Sequence, residues 1–310
     1  MPDIAVHHAF GQEVKASLPP EIQRELLEEP YTFALYGPDP WFMYQPWKRR
    51  QGRGRRMHTT KTGSFLISLA GKAMNGSSPR ETFSYLAGFL CHYALDSTTH
   101  PYIIWRTTET WPTRKAHMDL EHALDISLLK REGFWTERHP VTDHHFPRVR
   151  LPASMREDLN AVYQEVYGWS DALPALNACY ARYRMAFRVM EAPCSVLTVL
   201  AALFPTHRLR AFSYRTSAFL DRDVENLSHQ PWYEAYAPDL ESFESFPELV
   251  EKAKSEAVRM IGDCYAYARA HTLSKEALAR SLGNRSYLSG LDVDDSRNYA
   301  VSSLCPPKDD

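Results

Sequence analysis

The stretch Cys91-His92-Tyr93-Ala94-Leu95-Asp96-Ser97-Thr98-Thr99-His100-Pro101 constrains this chain more than any other. His92, Asp96 and His100 are spaced four residues apart. On a helix, residues i and i+4 stack on one face, so these form a column of imidazole, carboxylate and imidazole. The preceding residues are almost all apolar or small (Phe83, Tyr85, Leu86, Ala87, Phe89, Leu90, Cys91), which predicts a helix buried nearly all round. A buried histidine and aspartate must be paired with something or coordinate a metal. Pro101 disfavours helical backbone at His100 and predicts that His100 sits at a frayed helix end. His117 and Glu121 repeat the four-residue spacing on the next helical stretch. One such pair alone reads best as a hydrogen bond inside a bundle. Five candidate ligands within thirty residues favour a metal centre.

Composition narrows the setting. The 310 residues are 44% hydrophobic and 24% charged, as in soluble globular proteins. The net charge of -2 gives no global drive toward nucleic acid or an anionic membrane. Cys91, Cys179, Cys194, Cys264 and Cys305 are odd in number, far apart and without CxxC spacing, which argues against a disulfide framework or a thiolate metal site. No basic segment followed by an apolar run opens the sequence, and Ala192 to Phe204 is too short to span a bilayer. The expectation is a cytoplasmic protein.

Along the chain, helical patterning dominates. His7 and His8 precede a helix over 12–28 with Pro19-Pro20 at a helix start. Tyr36-Gly37-Pro38-Asp39-Pro40 reads as a rigid turn presenting Asp39. The glycine-broken basic run Lys48–Arg56 predicts an exposed loop, serving either as a solvated surface or as an anion gate, beside aromatics suited to a cationic headgroup. His58 follows, then helices over 61–76, from Ser78-Pro79 through Asp96, and 114–132, with a loop over 102–113. Residues 133–152 read as irregular and His-rich (His139, His144, His145), and helices are expected over 153–168, 171–192, 194–203, part of 207–229, 245–270 and 274–282. Trp232-Tyr233 is placed in a turn, and no strand pattern of useful length is visible. The expected architecture is all-α: a single domain over 1–285, ligands within 1–130, further helices over 150–285, and a mobile tail over 286–310.

Taken in order, His7, Asp39, His58, His92, Asp96, His100, His117 and Glu121 resemble the ligand series of the zinc-dependent phospholipase C family, related to the S1/P1-type nucleases. Ser228-His229-Gln230-Pro231-Trp232 and the Ser245 helix resemble intracellular bacterial members. The resemblance implies a multi-helical domain holding a cluster of two or three zinc ions. It implies that Asp39, His58 and His92 share one ion, that Asp96 bridges two, and that His100, His117 and Glu121 hold a separate one. His7 takes the N-terminal-region position, with His8 as the adjacent alternative. Secreted members use an N-terminal tryptophan as a further ligand; this chain presents Met1, so that site is expected to be weaker, differently completed or empty.

The implied activity is zinc-dependent hydrolysis of a phosphodiester, with metal-activated water attacking phosphorus and Asp39 as base or water orienter as well as ligand. The substrate class is a phospholipid or another phosphodiester, with transient contact at a membrane surface. A nuclease-like phosphodiesterase is the alternative within the class, and a non-catalytic helical protein with one structural zinc is the alternative outside it.

Overall fold

The computed structural model describes residues 4–45, 52–110, 114–131, 141–191, 203 and 223–298. Its elements are α1 (Ile4–Ser17), α2 (Pro20–Glu25), α3 (Glu28–Ala34), a 3-10 turn (Asp39–Met43), α4 (Arg53–Thr59), α5 (Thr62–Asn75), α6 (Pro79–Thr110), α7 (Arg114–Arg131) and α8 (Val141–His145). A short 3-10 turn, Ala153–Met155, leads into α9 (Arg156–Tyr167). Then come α10 (Ala172–Glu191), a hairpin of β1 (Trp232–Glu234) and β2 (Ala237–Ser242), α11 (Phe246–Ala268) and α12 (Lys275–Leu282). The fold is all-α, as the periodicity predicts. The helix expected over 194–203 falls outside the described residues except at Leu203, and residues 207–222 fall outside them entirely.

Helix α6 is the axis of the molecule. From Thr82 to Ile103 every residue except Thr98 is buried, with α3, α5 and α11 packed around it. Its start is fixed by Asp158 of α9, whose carboxylate accepts the Ser77 and Ser78 amides at 2.9 Å each and the hydroxyls of Ser78 and Thr82. These donors are among the orphan groups that any helix N-terminus must satisfy. Helix α11 solves the same problem locally, with Ser245 and Glu248 forming a reciprocal capping box.

Several sequence expectations change. α1 begins at Ile4 and carries His7, ending before Pro19-Pro20 instead of running to residue 28. α6 does not fray at His100; it continues through Pro101 to Thr110. An interior proline costs about 3 kcal/mol, here set against the burial of Tyr102 and Ile103 beyond it. The basic run is not all loop. Residues 46–51 lie outside the described residues, but Arg53–Arg56 open α4, and the Arg53 guanidinium lies 3.8 Å from the Tyr44 ring centroid, 4.6 Å from Trp169 and 4.9 Å from Trp41. Those rings are therefore filled by the chain's own cation.

Trp232-Tyr233 forms a strand instead of a turn. Trp232 pairs with Ser242 and Tyr233 with Glu241, while the buried Trp232 packs on Tyr102 and Trp105 of α6. Residues 141–145 are helical. Residues 286–298, expected as the start of a tail, are packed through at least Val293: Ser286, Tyr287, Ser289 and Val293 are buried. Residues 299–310 lie outside the described residues. No described helix is long and apolar enough to cross a membrane.

Candidate metal centre

The eight candidate side chains come from five elements of the chain. α1 supplies His7, the 3-10 turn supplies Asp39, and α4 supplies His58. α6 supplies His92, Asp96 and His100, and α7 supplies His117 and Glu121. They converge into three groups: His7 with His92 and Asp96; Asp39 with His58 and His92; and His100 with His117 and Glu121. Within each group the ligand-capable atoms lie within 4.8 Å of one another. His92 belongs to two groups, and Asp96 lies between His92 and His100.

The geometry is set by four-residue spacing on α6 and by tight backbone around it. Asp96 Oδ1 faces His7 Nε2 at 3.2 Å. Its Oδ2 faces His92 Nε2 at 3.1 Å and His100 Nδ1 at 3.7 Å. Asp39 Oδ1 lies 3.2 Å from His58 Nε2 and 3.9 Å from His92 Nε2. Glu121 Oε1 lies 2.8 Å from His117 Nε2 and 3.8 Å from His100 Nε2. The rings of His7 and His92 stack at 4.2 Å, and those of His100 and His117 at 5.4 Å. Gly37, at φ +44°, lets the turn carrying Asp39 pass directly over His92; a β-carbon there would lie 2.3 Å from the His92 ring.

Three histidines spend one nitrogen on a backbone carbonyl. Nδ1 of His58 meets Gly54 O at 2.7 Å, that of His92 meets Leu35 O at 3.2 Å, and that of His100 meets Tyr287 O at 2.7 Å. A proton on each Nδ1 leaves the Nε2 lone pair facing its group, the arrangement in which a second partner fixes the tautomer of a ligating histidine.

The residues fit a metal ion. Nε2 of His7, His92 and His100 and both oxygens of Asp96 are buried without a hydrogen-bond partner. Left so, a polar group costs about 1–3 kcal/mol, and more when charged. Burial, reinforced by the neighbouring His92, depresses the pKa of His7 to about 4; burial likewise lowers His58 to about 4 and holds His100 well below the usual histidine range. Neutral imidazole is the ligating form. Burial pushes the Asp96 carboxyl up, but His92 and His100 beside it bring it well below the usual carboxylate range. Imidazole and carboxylate donors without thiolate suit zinc. Cys91 on the same helix is no thiolate: burial raises it to about 12.

His7 joins the centre and His8 does not. The His8 ring instead meets His145 edge-on at 5.5 Å. Of the other loop histidines, His144 and His145 fall outside all three groups, and His139 lies outside the described residues. Two further contributors escape sequence reading. Asp125 of α7 accepts the Ala5 and Val6 amides at 2.9 and 3.0 Å and so anchors the start of α1 just ahead of His7. The signal was present, because Asp125 continues the His117–Glu121 spacing by four more residues. Tyr287 acts through its backbone, for which a sequence carries no signature.

A buried centre of imidazoles and carboxylates inside a helical bundle defines the class as an all-α protein with side chains able to hold metal ions. The model of the zinc-dependent phospholipase C family matches residues 6–172, more than half of the chain and a span that contains all eight candidates. The chain belongs to the zinc-dependent phospholipase C family. No curated protein and no solved structure matches it.

Proposed function

We propose that this protein is a zinc-dependent phosphodiester hydrolase acting on a phospholipid or a related phosphodiester. Asp39, His58 and His92 would hold one ion, His7 and Asp96 a second, and His100, His117 and Glu121 a third, with Asp96 between the groups. His92, its Nδ1 spent on Leu35 O, has one lone pair and serves one ion. Zinc held there would supply an activated water and neutralise charge on the phosphate oxygens. His7, His58 and His100, their pKa values lowered by burial, present their lone pairs without having to shed a proton near neutrality. Asp39, held in the turn with Oδ1 toward both His58 and His92, takes the proton of the attacking water at its carboxylate and orients that water toward phosphorus.

The observation that carries this reading is Asp96. Both of its oxygens are buried and without hydrogen-bond partners, and three imidazoles face them. The edge of the centre carries an exposed aromatic side chain and a half-buried histidine. Phe42, 38% exposed, lies 5.1 Å ring-to-ring from His58, and His117 is 25% exposed. The test is turnover of a chromogenic phosphodiester, of phosphatidylcholine vesicles and of single-stranded DNA by zinc-loaded protein and by Asp39→Asn. The expected result is phosphodiester and lipid hydrolysis, reduced at least ~100-fold in Asp39→Asn. Preference for DNA would move the assignment to the nuclease-like alternative. One tightly held zinc with no turnover would make the site structural.

A further inference from the structure

We propose that the segment 283–293 is a working part of the metal centre, and that the peptide groups of Tyr287 position His58 and His100, one from each of two ligand groups. This rests on the metal-centre reading above and extends it to residues far beyond the matched span 6–172. The Tyr287 N–H donates to the His58 carbonyl at 3.1 Å. Its own carbonyl accepts His100 Nδ1–H at 2.7 Å. The Tyr287 ring lies 5.3 Å from that of His58 and 5.8 Å from that of His92. One buried residue therefore touches histidines on α4 and α6 and fixes which nitrogen of His100 is left for the Glu121 side.

The segment is tied down independently of the ligands. Tyr93 of α6 donates its hydroxyl hydrogen to Leu282 O at 3.1 Å and accepts the Arg285 amide at 2.9 Å. Arg285 pairs with Glu256 of α11 at 2.8 Å and lies over the Tyr93 ring. The Gly63 amide of α5 donates to Asn284 Oδ1 at 2.9 Å. The loop closes on itself through Ser286 N–H to Leu291 O at 2.7 Å and Gly290 N–H to Ser286 O at 3.0 Å.

The far side of the loop rests on the proline break in α6. Pro101 has no N–H to give Ser97 O, its i−4 carbonyl. Gly290, at φ +68°, packs against that carbonyl, and a β-carbon there would lie 2.5 Å from Ser97 O. Only glycine lets the loop come this close, so the interruption that freed the carbonyl also seats the loop beside His100.

Tyr287 is a positioning residue, and such outer partners of ligating histidines are worth about 10–100-fold in metal affinity. Two measurements test it. The first is the tautomer of His100 in unmodified, zinc-loaded protein, read by nitrogen-15 NMR of labelled histidine. The proton is expected on Nδ1 with Nε2 metal-bound; a proton on Nε2 overturns the proposal even if zinc binds normally. The second is zinc titration of Gly290→Ala, which touches no candidate ligand, beside Arg297→Ala as a substitution elsewhere in the C-terminal region. Gly290→Ala should weaken the zinc sites that contain His58 and His100 by about 10–100-fold while the far-ultraviolet helical signal is kept, and Arg297→Ala should not. Unchanged zinc affinity in folded Gly290→Ala overturns the proposal. If Gly290→Ala does not fold, the tautomer decides. Absence of zinc from the unmodified protein overturns the metal-centre reading itself, an outcome distinct from a wrong tautomer.

Discussion

The ring of His92 occupies the space a β-carbon on Gly37 would need, with only 2.3 Å between them. Gly37 also holds φ +44°, a conformation that costs other residues about 1 kcal/mol or more. Gly37→Ala is therefore expected to displace His92 from both of its groups. Urea denaturation should show a loss of roughly 2–4 kcal/mol from strain and overpacking together. Zinc content should fall in the same variant. Full zinc occupancy would show that His92 does not depend on this contact.

Asp125 ties the start of α1 to α7 through the Ala5 and Val6 amides. Asp125→Ala removes the carboxylate that stands in for an N-terminal cap, a change worth about 0.5–2 kcal/mol. The expected consequence is selective: the ion held with His7 is weakened, and the His100, His117 and Glu121 group keeps its own. Zinc titration with a competing chelator separates the two. Equal weakening of every site would refute a local role for Asp125.

Asp158 gives a pH signature away from the metal. Burial pushes its carboxyl up, but hydrogen bonds from Ser78 and Ser77, joined by Thr82, outweigh this and depress its pKa. A depressed carboxyl contributes stability that is fully present above its unfolded pKa, ~3.9, and is lost as pH falls through the lower folded value. Asp158→Ala should cost about 3 kcal/mol near neutrality. The gap between it and the unmodified protein should narrow below pH ~4, as read by urea midpoints across pH.

The metal-free protein should show the opposite residue type at work. His7 and His58, held near 4 by burial, take up protons only on unfolding as pH drops from ~6.5 toward 4. Stability in the presence of chelator is therefore fully present above pH ~6.5 and declines toward pH 4. At neutral pH, chelation should lower the melting temperature and re-added zinc should restore it, since a ligand bound only by the folded state stabilises it. A melting temperature indifferent to chelator would mean that no ion occupies the centre.

Helical spacing made part of the site readable in advance. His92, Asp96 and His100 share a face because they are four apart, and the same holds for His117 and Glu121. That α1 would bring His7 against Asp96, or that the Gly37 turn would lay Asp39 beside His58, depends on tertiary packing that no local spacing encodes. Pro101 was misleading because the rule at work there is local. The proline's cost of about 3 kcal/mol is offset by the burial of Tyr102 and Ile103 beyond it, roughly 1.5–3 kcal/mol for each side chain. The hairpin escaped because its strands are short and held by Trp232 packing on distant Tyr102 and Trp105. Tyr287 escaped because it contributes an amide and a carbonyl, which every residue but proline possesses.

The most direct measurement is the zinc content of unmodified protein, prepared without chelator, beside Asp96→Asn. The account expects two or three zinc ions per chain in the unmodified protein. It expects fewer in Asp96→Asn, with the helical signal retained, because the carboxylate between His7, His92 and His100 is lost. No zinc in the unmodified protein after the metal is added back, or the same content in Asp96→Asn, would contradict it.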